Sequence, residues 1–194
     1  MVNLNSLSTS DKILYAAMEI ISQEGLKGLT ASKLAKIANI SKSTVFHYYK
    51  SMDDIPALVL KTLYSEIFSP LEQVNYNSVY DYLNTVGLTS FSKDEQQRLL
   101  YKAFLSLYQE SMHNLHLKEI VNICSKEFAL VIYTQLRALI KGTIEDSQVK
   151  NITQLIFMTL DGICLHYLIN GNQQEALTSW ELFITALIKH YNLD

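Results

Sequence analysis

GLTASKLAKIANISKSTVFHYYKSMDDI, Gly28 to Ile55, is the stretch on which the fold of this 194-residue chain turns. Thr30 can cap a short helix whose apolar side chains, Leu34, Ile37 and Ala38, fall on one face by helical spacing. Asn39 supplies the corner that follows, since asparagine tolerates the left-handed backbone better than most residues, and Ile40 plugs it. Ser41 caps a second helix on which Val45 and Tyr49 point inward. Lys42, Ser43, Thr44, His47 and Tyr48 are left on the other faces, so the outer surface is polar and basic.

Upstream, a first helix starts around Ser10 and ends at Gly25, with Ile13, Ala17, Ile20 and Ile21 on one buried face. Downstream, Ser51 and Asp54 form a capping-box variant that starts a fourth helix running to about Phe68, with Pro56 delaying its start by a residue or two. Pro70 is expected to separate that helix from the next. Further helices are predicted over 70–88, 92–112, 115–141, 147–170 and 173–191, interrupted at Gly87-Leu88-Thr89, Gly142 and Asn170-Gly171-Asn172. Apolar spacing is helical almost throughout and no strand pattern stands out, so the fold class is all-α.

Nearly half the residues are hydrophobic and fewer than a fifth charged, with two prolines and six glycines, which excludes a disordered chain. The first ten residues are polar and serine-rich, so no cleaved signal peptide is expected. Leu155 to Leu160 is apolar, but Thr159 lies inside it and Asp161 follows, short of a bilayer span. These features predict a soluble cytoplasmic protein with no membrane partner. Cys124 and Cys164 lack metal-type spacing and read as buried thiols.

The net charge of -3 is unevenly divided. Residues 1–63 carry seven lysines and five acids, a balance of +2, and the remainder carries -5. Between Lys27 and Lys50 there are five lysines and no acidic residue, so positive potential that attracts phosphates is confined to one short segment. Two helices joined by a tight turn, the second opening with small polar and basic side chains, fit a DNA major groove about 12 Å wide. Free amides around Ala31 and Ser32 can hold a phosphate, with Lys33, Lys36 and Lys50 adding charge beside it. Lys42 can reach guanine or a phosphate, Ser43 several base edges, and Thr44 the thymine methyl. His47 and Tyr48, one turn on, suit the sugar-phosphate backbone.

The Gly28–Ile55 stretch, with the helix from Ile13 to Gly25 before it, resembles the DNA-binding region of TetR-family regulators. The resemblance covers roughly the first 60 residues. It assigns backbone roles to Thr30, Lys33, His47 and Tyr48 and operator reading to Lys42, Ser43 and Thr44. It further implies a fold of nine or so helices, a homodimer on a palindromic operator, and release by a small-molecule inducer held in the C-terminal part. Two positions depart from the family pattern: Phe46 stands where a tyrosine is common, and Met52 where lysine is frequent. Both changes remove a phosphate contact. On this reading residues 1–54 are a three-helix DNA-binding domain, and residues 55–194 are a helical ligand-binding and dimerisation domain.

In that second part, Tyr101, Phe104, Tyr108, Phe128, Tyr133, Phe157, His166 and Tyr167 are candidate walls of an inducer pocket, although aromatics at helical spacing also make ordinary core. Gly162 and Ala176 would allow close helix approach between subunits. Ile156, Ile163, Leu168, Leu177, Ile184 and Leu187 serve equally as dimer contacts or as each subunit's own core. The alternative to a regulator is an all-α metal-binding protein or enzyme using Glu110, His113 and His116, three residues apart on one predicted helix. Against it, a di-iron bundle needs Glu-x-x-His twice, and the chain has it once, at Glu110 to His113. No Gly-rich phosphate loop, nucleophile elbow or zinc-hydrolase motif is present, so neither a cofactor nor a catalytic residue is assigned.

Overall fold

The computed structural model describes residues 7–72 and 74–194. Regular structure among these residues is helical: α1 (Thr9–Glu24), α2 (Ala31–Ile37), α3 (Lys42–Tyr48), α4 (Asp54–Glu72), α5 (Val79–Ser90), α6 (Glu95–Glu110), α7 (Leu115–Leu139), α8 (Asp146–Asn170) and α9 (Gln173–Tyr191), with a 3-10 turn at Leu26–Gly28. The helices fall into two compact units that interleave along the chain. The first holds α1, α2, α3, α4 as far as Ile67, and Glu95–Cys124; the second holds Phe68–Asp94 and Ser125–Asp194.

In the first unit, Ser8 caps α1 by accepting a hydrogen bond from the Asp11 amide at 3.2 Å. Ile13, Ala16, Ala17, Met18, Ile20 and Ile21 are all buried, more of the helix circumference than the one expected stripe. The reason is that α1 packs against α2 and also, extensively, against α6. A further tie joins α1 to α4, where the Tyr15 hydroxyl donates to Glu66 at 2.9 Å. Burial, then the neighbouring Glu66 carboxylate, pushes the Tyr15 hydroxyl up to about 12.

The second unit is built around Trp180 of α9, whose indole N–H donates to the Leu83 carbonyl of α5 at 2.8 Å. The Tyr167 hydroxyl of α8 donates to the Ser92 carbonyl at 2.8 Å, and the Gln173 side-chain Nε2 of α9 donates to the Phe91 carbonyl at 2.7 Å. These three bonds close both long helices over the end of α5. The left-handed Gly171, with φ 70°, lets the chain reverse between α8 and α9, and Asn172 caps the latter. Cys124 and Cys164 are buried and not joined in a disulfide, and burial, followed by the nearby Asp161, raises the Cys164 thiol pKa.

Three expectations are corrected. Pro70 does not divide two helices; it lies inside α4, near its end. There its missing amide removes only the bond to residue 66, and the helix continues just two residues further. The helix expected over 70–88 is Val79–Ser90, started by Ser78, which accepts from the Asp81 amide at 3.0 Å. Gly87-Leu88-Thr89 therefore lies within α5 instead of interrupting it, and Gly87 is there for close packing on Trp180. By length and composition, α8 is also able to cross a membrane, with mean hydropathy 1.5 over an 18-residue window. The six-residue apolar run considered in the sequence understated this helix.

Candidate nucleic-acid interface

The corner that positions α3 is built from local bonds. Thr30 accepts from the Lys33 amide at 3.3 Å and starts α2, and Gly25, at φ 71°, turns the chain out of α1. Asn39 adopts φ 53°, and the next amide, of Ile40, donates back to Ala35 at 2.9 Å. Ser41 accepts from the Thr44 amide at 3.0 Å and starts α3. Val45 and Tyr49 are buried and anchor α3, with the Tyr49 hydroxyl 2.8 Å from the Ser10 hydroxyl on α1.

The outward face of α3 follows from these two anchors. At 3.6 residues per turn, Ser43 and His47 lie opposite Val45 and Tyr49, with Lys42 and Phe46 on one flank and Thr44 and Tyr48 on the other. Lys42, Ser43, Phe46, His47 and Tyr48 are exposed and Thr44 is half-buried. His47 thus lies in line with Ser43, not behind it, its ring edge-on to Tyr48 at 5.6 Å. The Ser41 hydroxyl sits 2.7 Å from both the Ser43 and Thr44 hydroxyls, so each presents to a ligand an oxygen already oriented by a neighbour.

Phe46 is the functional candidate that sequence reasoning passed over. It was read only as the loss of a tyrosine hydroxyl, yet 48% of it is exposed on a face otherwise made of polar groups. Its position one turn from both Lys42 and Lys50 was visible in the sequence.

The lysines are not equivalent. Lys27, Lys36, Lys42 and Lys50 are exposed, with no acidic partner among the described residues. Lys33 is ion-paired with Glu24, the last residue of α1. The acid-free run from Lys27 to Lys50 therefore acquires an acid in space from just outside it.

Residues 13–57, spanning most of α1 through the start of α4, match the profile for bacterial regulatory proteins of the tetR family. Over these residues the chain is similar to tetR-family regulators. It is 21% identical over 169 residues to the HTH-type transcriptional regulator BetI of Vibrio campbellii, covering 85% of this chain and 83% of that one. A transcriptional regulator from Rhodococcus sp. RHA1 superposes with TM-score 0.83 at 16% identity, covering 96% of this chain and all of that one. The regulator FadR from Bacillus subtilis, solved in complex with stearoyl-CoA, superposes at 0.70 with 21% identity, over 92% and 97%.

The eight aromatic and histidine candidates divide between the units. Tyr101 and Phe104 are buried and Tyr108 half-buried in the first, where Phe104 meets Tyr64 edge-on at 5.2 Å. In the second, Phe128 and Phe157 pair at 5.5 Å in the core. Tyr133 hydrogen-bonds Asp146, which also pairs with Lys150 at 2.8 Å, so this hydroxyl clasps α7 to α8. His166 and Tyr167 do come together, along an open groove of about 470 Å³ between α8 and α9 lined also by Thr159, Ile163, Asn172 and Glu175. Burial pushes Asp161, on α8, up to about 7.

The metal alternative loses its geometry. Glu110 ends α6, His113 lies in the following turn and His116 belongs to α7, so the three do not share one helix. The chain turns at this point because the Asn114 side chain caps α7, accepting from the Leu117 amide at 3.0 Å. Among the described residues no three His, Cys, Asp or Glu side chains gather as metal ligands.

Proposed function

We propose that this regulator is a cytoplasmic repressor that binds a palindromic operator as a homodimer and is released by a small-molecule inducer. The observation that carries the reading is the outward face of α3, where Lys42, Ser43, Phe46 and His47 stand exposed on a helix anchored by Val45 and Tyr49. Lys42 and Ser43 would read base edges, and Thr44 and Phe46 would meet thymine methyls. Thr30, Lys33, Lys36, Tyr48 and Lys50 would hold the sugar-phosphate backbone, and His47 would reach base or backbone from the centre of the face.

Dimerisation is supported by α8. Leu155, Met158, Leu165 and Ile169 are exposed in a three-four repeat, with Leu182 exposed on α9. A Cβ added to Gly162, within that stripe, would meet nothing within 4 Å in its own chain. Of the candidates left open by the sequence, Ile156, Ile184 and Leu187 are buried in the subunit's own core. The exposed stripe is a better surface for a second copy, and it explains why α8 is apolar enough to pass for a membrane helix. Residues 1–54 then serve DNA and 55–194 serve ligand and partner, as the resemblance implies.

The inducer would bind in the helical C-terminal part, and a small-molecule ligand is supported by the FadR neighbour, which was solved in complex with stearoyl-CoA. Its effect would reach α3 through α6 as well as α4, because α6 packs on α1 and Tyr15 ties α1 to Glu66. An inducer that prefers the arrangement unable to fit adjacent major grooves lowers DNA affinity, and DNA lowers inducer affinity by the same factor. Selection of bound duplexes from a random library tests the reading. A palindrome with half-sites about 34–36 Å apart is expected, and recovery of random sequence would overturn it.

A further inference from the structure

Glu24 ends α1, where the helix dipole disfavours a negative charge, and it borders a surface that on our reading faces phosphates. Its side chain folds back across Gly28. A Cβ on Gly28 would fall 2.5 Å from Glu24 Cβ and 3.1 Å from Oε2, so the path exists only because residue 28 is glycine. At the end of that path the carboxylate meets the Lys33 ammonium. Both side chains stay nearly half exposed, at 44% and 47%, so a phosphate can approach the pair.

We infer that Glu24 is a built-in competitor for DNA, a carboxylate that holds Lys33 in place of a phosphate and sets operator affinity below the level the lysines alone would give. The inference rests on the DNA-binding reading above. A free lysine that meets a phosphate releases a condensed counterion, whereas Lys33 must first give up Glu24, which then recruits a cation. The wild-type pair therefore contributes almost nothing to the salt dependence of binding.

The test is a salt titration on full-length protein with a mixed-sequence duplex, since the phosphate contribution is independent of sequence. Glu24→Gln is expected to steepen the log–log slope by about 0.9 per subunit, a further ~3.5-fold loss of affinity between 50 and 200 mM salt, and to bind more tightly at low salt. Glu24→Gln combined with Lys33→Gln is expected to return to the wild-type slope. Thermal melts of both variants exclude misfolding as the cause. Glu24→Gln with the wild-type slope would overturn the inference, as would a gain that persists in the double variant, which would make Glu24 a distant charge. Wild-type protein that binds no duplex at low salt would take down the DNA-binding reading as well, which separates the two failures.

Discussion

The indole of Trp180 lies on the bare backbone of Gly87. A Cβ on that glycine would fall 2.5 Å from indole Nε1, and the same nitrogen donates to the Leu83 carbonyl one turn earlier on α5 at 2.8 Å. The ring can make that bond only by occupying the space a side chain at 87 would need. Gly87→Ala should therefore destabilise the protein by about 1–3 kcal/mol, as overpacked cores do, despite alanine's better helix propensity. Denaturant unfolding followed by the fluorescence of Trp180, the chain's single tryptophan, measures the loss and reports the indole's displacement.

Asp161 sets a pH dependence. Burial pushes its carboxyl up to about 7 in the folded state, against about 4 for an exposed aspartate. The folded chain thus holds a proton that the unfolded chain releases, and stability from this group is full below about pH 4 and declines as pH rises toward 7. Asp161→Asn should flatten that decline and melt higher than wild type at pH 8. Melting temperatures that run parallel for the two proteins across this range would contradict the assignment.

Two lysines of the corner, Lys36 on α2 and Lys42 on α3, should behave differently. Lys42→Ala is expected to change which operator positions are preferred in duplex selection, while Lys36→Ala should weaken all duplexes alike and make the salt slope shallower by about 0.9 per subunit. A uniform loss for Lys42→Ala would reassign it to a phosphate.

The α8 stripe is tested by Leu165→Glu or Ile169→Glu. Two-fold symmetry places each new carboxylate twice in the interface, where burial of an unpaired charge is costly. Sedimentation should show monomer in place of dimer, with helical content unchanged because both positions are exposed within the subunit. A dimer that survives both changes would place the interface elsewhere.

What the sequence made legible was local. Thr30 and Ser41 cap their helices, Asn39 takes positive φ, and Val45 and Tyr49 anchor α3, because each needs only neighbours within a turn or two. Gly87 was misread because its partner lies on α9, and a glycine that admits a distant indole has the same sequence signature as one that ends a helix. The dimer contacts proposed on α8 were obscure for a related reason. Ile156 faces inward and Leu155 outward, and a helix apolar on both faces gives periodicity nothing to choose between. The lysine run looked free of acid because Glu24 reaches it by folding back, which composition along the chain does not record.

The packing of α6 against α1 has a consequence for biosynthesis. The helix that begins the DNA-binding fold is complete at Glu24, but the one that covers its remaining apolar surface starts only at Glu95. On the ribosome, α1, α2 and α3 emerge first and must wait, with the side of α1 that packs on α6 unsheltered, until α6 is translated. A nascent chain stalled before Glu95 would be sticky and a target for chaperones, so the rate of translation through α4 and α5 bears on the yield of folded regulator.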